Sequence, residues 1–359
     1  MTHVAVIGAG ITGLAAAWEL ERAGVPPLVF ESERRAGGVI VTERRDGFVV
    51  EGGPDGFLGS EPELPDLARE LGIGERVVEQ VARGSSVWTG GRLEPLGEGE
   101  AAALLGIDVQ GEAVLSKGFR SFAGGMADIV DALMARLAPR VQIASGVIGI
   151  ARSPHGYRLV LTGGAAVDVE GVVCAVPAWT MARLVRNVGV PLALDLEEVL
   201  YFPSLTVSLA YRREDLAAEL AGTGFVVRAG AADSTLRACT FASLKYPGRA
   251  PAGYVLLRAF LGSVSGHPAA VAHGELSHIL SITGTPAWTR TFHWVRGLPR
   301  YKPQHAERVA GIREQLAQLP PLAIAGAGVD RAGLSACVAS GRAAARLVLQ
   351  RMGAGATRL

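Results

Sequence analysis

Three glycines near the N-terminus, Gly8, Gly10 and Gly13, have the spacing that points most directly to chemistry. They follow a short apolar run at G-x-G-x-x-G spacing and precede an alanine-rich helical segment. In such a unit the first glycine allows a tight turn, the second lets the backbone approach a pyrophosphate, and the third lets helix and strand pack closely. Glu31 ends the next apolar run, where a carboxylate can accept both hydroxyls of a ribose. The stretch predicts a dinucleotide-binding β-α-β unit.

The elements around the glycines must place them against a phosphate. The helix behind them would offer unpaired N–H groups and a partial positive charge to a pyrophosphate. The residues between the glycines, Ala9, Ile11 and Thr12, belong to the same predicted contact surface. A lone glycine triplet is weak support, but the strand, the helix and the acid at the right distance make an ordinary turn a poor explanation.

The rest of the chain alternates between strand and helix patterns. Strands are predicted over 141–150, 157–162, 172–176, 205–211, 225–228, 238–244, 254–261, 289–295 and 322–326. Helices are predicted over 62–71, 127–137, 177–186, 269–281, 305–316 and 334–352. The pattern predicts an α/β fold: a Rossmann-like nucleotide domain plus an α+β second domain with a mixed β-sheet.

Composition excludes several classes of protein. The 359 residues carry 35 Lys+Arg against 34 Asp+Glu, so no nucleic-acid partner is expected. Cys174, Cys239 and Cys337 are far apart, which argues against a metal cluster or a disulfide framework and fits a reducing, cytoplasmic setting. The chain starts with a strand and has no apolar run long enough for a bilayer, so we expect no signal peptide, no transmembrane segment and at most weak peripheral membrane contact. Oligomeric state is left open.

Two further glycine segments indicate which dinucleotide the protein binds. The stretch from Glu31 to Gly38 reads E-S-E-R-R-A-G-G, and a G-G-P-D-G turn covers residues 52–56. Both resemble the glutathione-reductase-like group of FAD proteins, particularly its amine oxidase and protoporphyrinogen oxidase branch. NAD-only dehydrogenases do not need this second glycine pair, so the resemblance implies FAD. The additional cofactor contacts that it implies are Ser32, Arg35, Gly37, Gly38, Gly53, Pro54, Asp55 and Gly56.

Three longer segments narrow the resemblance to one family. Residues 241–262 contain K-Y-P-G-R-A-P-A-G-Y-V-L-L-R-A-F-L-G, residues 294–309 contain L-P-R-Y and H-A-E-R-V, and residues 122–126 read F-A-G-G-M. They are similar to motifs of the protoporphyrinogen and coproporphyrinogen oxidases, over nearly the whole chain. The resemblance implies FAD-dependent oxidation of either porphyrinogen in haem biosynthesis, with oxygen as acceptor. It does not choose between the two substrates.

The family resemblance also implies individual site residues. Val147 would meet the adenine through its backbone, and Trp294 would pack near the flavin, although a simple core tryptophan is the alternative. The last strand-turn-helix would bring Ala327, Ala332, Gly333 and Leu334 to the ribityl chain and the pyrimidine edge.

Two cations are candidate substrate anchors. Arg92 follows a Gly-Gly turn and could bind a propionate, or it is a solvated hairpin residue. Lys245 could face the flavin through water, or it is an exposed lysine at a strand end. No catalytic residue and no metal ligand is predicted, because the hard chemistry belongs to the cofactor.

The predicted division gives residues 1–60, 124–187 and 286–359 to the FAD domain, and 61–123 and 188–285 to the substrate domain. Members of the family usually have about a hundred more residues, inserted as a helical domain where this chain has a short linker near 97–117. The closing motif also departs from the family pattern, reading R-A-G-L-S-A-C over 331–337. Two other interpretations stay open: an amine-oxidase-like or desaturase-like flavoprotein with another substrate, and a non-catalytic flavoprotein with an incomplete substrate pocket.

Overall fold

A computed structural model describes residues 3–97, 100–104, 117–217, 219–230 and 234–356. Its strands, in chain order, are β1 Val4–Ile7, β2 Pro27–Phe30, β3 Thr42–Arg45, β4 Phe48–Glu51, β5 Phe57–Leu58, β6 Val77–Glu79, β7 Ser85–Trp88, β8 Leu93–Leu96, β9 Phe119–Phe122, β10 Val141–Gln142, β11 Val147–Ser153, β12 Gly156–Leu161, β13 Ala166–Val169, β14 Gly171–Cys174, β15 Leu200–Arg212, β16 Gly224–Val227, β17 Leu236–Phe241, β18 Tyr254–Leu261, β19 Trp288–Arg300 and β20 Leu322–Ile324. Its α-helices are α1 Ile11–Arg22, α2 Glu63–Glu70, α3 Glu100–Leu104, α4 Ala127–Leu137, α5 Ala178–Arg186, α6 Ala242–Lys245, α7 Pro268–Leu280, α8 His305–Ala317 and α9 Leu334–Ala356.

A five-stranded parallel sheet in the order β10-β2-β1-β14-β20 forms the first layer. Strands β1 and β14 are buried at every position, as expected for a parallel sheet covered on both faces. Helices α1 and α9 cover one face, and they touch because Gly341 has no side chain: a Cβ there would lie 2.1 Å from the Thr12 carbonyl oxygen. The antiparallel β11-β12-β13 meander, α5 and α8 cover the other face.

A seven-stranded sheet in the order β19-β15-β18-β17-β16-β7-β8 forms the second layer. Strands β16 and β7 pair in parallel while the other pairs are antiparallel, so the sheet is mixed, as predicted. One face packs against α7. On the other face, Phe48 and Val50 of β4, which pairs with β3 in a separate two-stranded sheet, pack against Ala210 and Leu256.

Strand β19 lies next to a boundary of the predicted domain division. A boundary at residue 286 gives this strand to the FAD domain, but it pairs with β15 from Leu200↔Arg300 to Ala210↔Trp288 and so forms the edge of the second sheet. An apolar strand pattern reveals a strand but not its partner, so the sequence alone does not say which sheet this strand joins. The domain division stays a prediction.

The strand predicted over 141–150 is two strands. Its first part, β10, joins the parallel sheet, and its second part, β11, starts the meander. Between them Ala144 has a positive φ of 52°, and its N–H donates to the Glu33 carbonyl 2.8 Å away. This hydrogen bond places the residues between β10 and β11 close to the segment that contains Glu31. Helix α3 lies in the short linker, while residues 98–99 and 105–116 of that linker lie outside the described residues.

None of the helices in the described part of the chain has both the length and the apolar character needed to cross a bilayer. The longest, α9, spans 23 residues and carries Arg342, Arg346 and Arg351. Arg342 pairs with Glu70 of α2 at 2.6 Å and so ties the helix to the protein surface.

Candidate functional site

The N-terminal glycine turn has the geometry that its spacing predicts. Gly8 has a φ of +99°, and a Cβ there would lie 2.6 Å from the Ala175 carbonyl oxygen. A Cβ on Gly13 would lie 1.8 Å from the Gly8 carbonyl oxygen. Around Gly10, by contrast, a Cβ would meet nothing within 4 Å. Helix α1 begins next to it without a side-chain cap, so its first N–H groups are available to a phosphate.

Glu31 is held against this turn. Its carboxylate is 8% exposed and accepts hydrogen bonds from the Ala9 N–H at 2.7 Å and the Glu33 N–H at 2.9 Å. The Ser32 hydroxyl donates to it at 3.2 Å. The Ser145 N–H donates to the Glu31 carbonyl at 2.7 Å, which brings the start of β11, and with it Val147, to the same end of the parallel sheet. The acid and the predicted adenine contact therefore lie side by side.

Arg35 shapes the second glycine turn. Its guanidinium donates to the carbonyls of Gly38 at 2.6 Å and Ile40 at 3.1 Å. Both glycines of the turn have positive φ, +103° for Gly37 and +58° for Gly38, and the Gly37 N–H donates to the Ala9 carbonyl at 2.8 Å. Arg35 thus stabilises the glycine turn through hydrogen bonds to the turn's own carbonyl groups. A direct contact between this arginine and the cofactor stays a prediction.

The turn over residues 52–56 lies between the two layers. Trp294 of β19 donates its indole N–H to the Gly52 carbonyl at 2.6 Å. A Cβ on Gly53 would lie 1.8 Å from the Val39 carbonyl oxygen, and one on Gly56 would lie 2.2 Å from the Tyr246 hydroxyl. Glycine is therefore required at both positions. The turn, which also contains Pro54 and Asp55, is fixed between the nucleotide domain and the mixed sheet.

Replacement of Trp294 by phenylalanine should weaken FAD binding by roughly three- to tenfold, because it removes one hydrogen bond and keeps most of the ring packing. The measurement is FAD titration of the apoprotein by flavin fluorescence. Trp18→Phe is the matched control, since the Trp18 indole donates to Glu70 on the surface at 3.2 Å. Equal FAD affinities in the wild type and both variants would show that the bond to Gly52 does not hold the turn.

The turn before α9 completes the predicted cofactor surface. The Gly326 N–H donates to the Ser340 hydroxyl at 2.8 Å, and the Ala327 carbonyl accepts from the Tyr301 hydroxyl at 2.5 Å. Gly333 has a φ of +128°, and α9 starts directly after it. Ala332 and Gly333 thus lie just before the N-terminus of α9, and Leu334 is its first residue, in agreement with the predicted strand-turn-helix.

Arg331, the bulky departure in the closing motif, points away from this turn. Its side chain is 65% exposed and pairs with Glu61 at 2.7 Å. The Arg331 side chain therefore does not occupy the predicted flavin-binding surface of this turn.

Four segments thus meet in one place. Gly37 bridges to Gly10, Gly53 lies against Val39, and the position of a Cβ on Gly326 is 3.3 Å from the Thr12 hydroxyl. Their surface offers helix N–H groups, the buried Glu31 carboxylate and glycine backbone, which are the groups that a flavin dinucleotide requires. The residues fit FAD, and each individual contact stays a prediction.

Asp55 and Lys245 form an ion pair where the turn meets the mixed sheet. The Lys245 ammonium lies 3.0 Å from the nearer Asp55 oxygen, and its side chain is 12% exposed. The lysine ends the short helix α6, so the alternative of an exposed strand-end lysine is wrong: β17 stops at Phe241 and the chain turns into a helix. Whether Lys245 also binds substrate stays a prediction.

A second buried pair lies beside it. Arg249 is 2% exposed and donates to the Ser121 hydroxyl at 2.6 Å. It lies 3.6 Å from Glu51, whose carboxylate also accepts from the Thr42 hydroxyl at 2.7 Å and the Met126 N–H at 2.8 Å. Sequence reasoning assigned no role to these residues. The available signal was a charge that directly follows or interrupts an apolar run, as Glu51 follows F-V-V.

The two acids of these pairs respond to burial in opposite ways. Desolvation raises the pKa of Glu51 above its usual value, and Arg249 only partly opposes it. Desolvation also acts on Asp55, but Lys245, Arg258 and Arg249 together outweigh it and hold the pKa of this carboxyl below its usual value. Asp55 is thus a stable anion, while Glu51 is closer to protonation.

Arg92 lies apart from these pairs. Its side chain is 79% exposed in the turn between β7 and β8, and it pairs with Glu94 at 2.9 Å. Strand β8 is the edge of the mixed sheet opposite to β19. The geometry favours the solvated hairpin alternative, and the propionate contact remains only a prediction.

A nucleotide-binding parallel sheet whose glycine turns meet a mixed second sheet defines a two-domain flavoprotein, with FAD as its cofactor. The chain belongs to the flavin containing amine oxidoreductase family, whose model matches residues 11–113 and 82–349. It is therefore a flavin-dependent oxidoreductase.

Individual relatives are similar over nearly their whole length. The chain is 23% identical to coproporphyrinogen III oxidase of Bacillus subtilis, over 95% of this chain and 97% of the relative. It is 25% identical to coproporphyrinogen III oxidase of Mycobacterium tuberculosis, over 96% of each. A crystal structure from Exiguobacterium assigned to protoporphyrinogen oxidase superposes with a TM-score of 0.81 at 23% identity, covering 97% of this chain and 99% of that one.

The alignments also show a difference in length. The match to the Bacillus subtilis protein is 460 residues long, whereas this chain has 359, so the relative has roughly 100 residues that this chain lacks. The two ranges that match the family model overlap between residues 82 and 113, in the region of the short linker.

Proposed function

We propose that this protein oxidises coproporphyrinogen III to coproporphyrin III in haem biosynthesis, with oxygen as the electron acceptor. The observation that carries the proposal is the near full-length similarity to coproporphyrinogen III oxidases, which includes both the cofactor turns and the mixed sheet. Protoporphyrinogen IX is the second candidate substrate, favoured by the assignment of the structural relative.

The site has part of the chemical character that such a substrate needs. A porphyrinogen is a large apolar macrocycle with carboxylate side chains. Phe260 lies on the mixed sheet beside Arg258, and Lys245 and Arg258 supply positive charge next to the turn over residues 52–56. The Phe260 ring would pack against the macrocycle, and the cations would attract the carboxylates.

The protein's own part in the reaction is to bind and orient. FAD, when bound, supplies the acceptor for two electrons and a hydrogen from a bridging carbon. Complete oxidation removes six electrons in three steps of two. The macrocycle must therefore either bind to the site three times or stay bound and rotate so that a new bridging carbon faces the flavin in each step. With oxygen as acceptor, three O₂ would be consumed and three H₂O₂ released for each porphyrin. Trp294 and the glycines that fix the turn would keep the flavin ring at a constant distance from the sheet.

Anaerobic mixing tests the proposal. The FAD-loaded protein is mixed in separate experiments with coproporphyrinogen III, protoporphyrinogen IX, putrescine and cyclohexylamine, and the flavin absorbance is followed. We expect bleaching with coproporphyrinogen III, and porphyrin fluorescence with release of hydrogen peroxide after oxygen is admitted. Bleaching by an amine alone would indicate an amine oxidase. Intact flavin absorbance with every compound would indicate a non-catalytic flavoprotein.

A further inference from the structure

Arg258 is a buried cation in the middle of the mixed sheet. It interrupts the apolar strand β18, and its side chain is 6% exposed. Its Nε has no hydrogen-bond partner among the residues that the structure describes. A guanidinium has five N–H donors and is almost never buried without acceptors, because the loss of water is costly. The residue therefore needs a partner that the neighbouring side chains do not provide.

The alternation of β18 gives the direction of this side chain. Leu257 and Ala259 pack on the α7 side of the sheet, whereas Leu256 packs against β4 on the other side. Arg258 has the parity of Leu256 and therefore points toward the turn over residues 52–56. Its guanidinium carbon lies 5.0 Å from the centre of the Phe260 ring, which is on the same face. It also lines a small cavity together with Asp55, Ser208 and Tyr246.

The charges around this cavity leave a cation in excess. Asp55 has Lys245 at 3.0 Å, and Glu51 has Arg249 at 3.6 Å together with two hydrogen-bond donors. Each carboxylate thus has a nearer cation than Arg258. Burial lowers the pKa of the Arg258 guanidinium, while Asp55 and Glu51 oppose this shift from a distance. An anion placed against Arg258 would balance the group, and Lys245 would screen it from Asp55.

We propose that Arg258 binds a carboxylate of the substrate and makes the site prefer a porphyrinogen with four propionates over one with two. This inference rests on the proposed function. Two side chains that are propionates in coproporphyrinogen III are vinyl groups in protoporphyrinogen IX. A propionate can accept two parallel N–H bonds from a guanidinium, whereas a vinyl group accepts none. The Phe260 ring holds the guanidinium beside the apolar surface on which the macrocycle would lie.

Binding of the two air-stable products tests this assignment without turnover. Coproporphyrin III and protoporphyrin IX are titrated into the FAD-loaded wild type and into Arg258→Met, Arg258→Lys and Arg237→Met. We expect Arg258→Met to weaken coproporphyrin binding by about ten- to hundredfold and protoporphyrin binding by less than about threefold. The coproporphyrin affinity of Arg258→Lys should fall between those of the wild type and Arg258→Met, because lysine keeps the charge but not the two parallel N–H donors of the guanidinium. Arg237→Met, an exposed position on the neighbouring strand, should change neither.

Three results would overturn the assignment. Unchanged coproporphyrin binding in Arg258→Met would show that Arg258 does not contact the carboxylate. An equal loss of affinity for both porphyrins would show that Arg258 does not produce the preference. A shift in FAD affinity or in the flavin midpoint potential, with the preference intact, would place Arg258 on the cofactor instead. If Arg258→Met does not fold, Arg258→Lys still decides through its ratio of the two affinities. Failure of the proposed function is distinct: the wild type itself would be bleached by neither porphyrinogen.

Discussion

Alanine in place of Gly13 will strongly destabilise the nucleotide domain, whereas alanine in place of Gly10 will leave the fold intact and greatly weaken FAD binding. A Cβ on Gly13 would lie 1.8 Å from the Gly8 carbonyl oxygen and 3.4 Å from a Val6 methyl group. Val6 belongs to β1 and Gly8 to the connection between β1 and α1, so the helix must move away from the sheet. We expect a loss of about 3 kcal/mol or more of unfolding free energy, at the upper end of overpacking in a core.

Gly10 has room for a methyl group and a backbone that accepts one. A Cβ there meets nothing within 4 Å, and φ is −69° with ψ 175°, an extended conformation open to any residue. The unfolding free energy of the apoprotein should change by less than about 1 kcal/mol. The same methyl group would occupy the approach path of the pyrophosphate, so FAD affinity should fall at least about a hundredfold.

The measurements are thermal unfolding of both apoproteins and FAD titration monitored by flavin fluorescence. Gly24→Ala is a suitable control for expression, since Gly24 follows α1 and an added methyl group would meet no atom within 4 Å, although its φ of +78° will cost some stability. Wild-type FAD affinity in Gly10→Ala would contradict the placement of the pyrophosphate at this turn. A stable, FAD-binding Gly13→Ala protein would contradict the close contact between strand and helix.

Local patterns predicted the nucleotide domain well because its signals are local. The glycine spacing, the helix behind it and Glu31 lie within one short stretch, and their geometry follows from backbone sterics. The α/β fold, the mixed sheet and the FAD cofactor were predicted correctly on this basis and on the family resemblance.

The contacts between distant segments could not be predicted in this way. Nothing in the pattern of β19 shows that it pairs with β15 rather than with the parallel sheet. The apolar stretch that ends near Lys245 reads equally well as a strand or as a short helix, and tertiary packing decided for the helix. Burial of Glu51, Arg249 and Arg258 depends on segments far apart in the chain, so their charges were visible in the sequence but their partners were not.

Arg249 is the buried charge with the largest expected effect on stability. Its guanidinium joins the loop before β18 to β9 through Ser121, to β4 through Glu51, and to the face of the Tyr246 ring at 5.4 Å. Arg249→Met keeps much of the volume but leaves Glu51 as a buried carboxylate without its cation. The unfolding free energy should fall by about 3–5 kcal/mol, the usual cost of breaking a buried ion pair on one side.

The pH dependence of this loss has a defined sign. Burial already raises the pKa of Glu51 in the native protein, and removal of Arg249 takes away the main opposing influence. A carboxyl whose native pKa lies above its unfolded value stabilises the fold at low pH and loses that contribution as the pH rises through the native pKa. Arg249→Met should therefore be destabilised more at pH 8 than at pH 5, relative to the wild type.

Denaturant unfolding at both pH values measures this effect, and a second substitution identifies its source. Glu51→Gln in the Arg249→Met background removes the titrating group, so it should restore part of the stability at pH 8 and abolish the additional pH dependence. Arg92→Met is the control, because this 79% exposed side chain pairs with Glu94 at the surface and its loss should leave stability nearly unchanged at both pH values. An equal loss at pH 5 and pH 8 in Arg249→Met, unaffected by Glu51→Gln, would assign the role of Arg249 to packing and to Ser121 rather than to its charge.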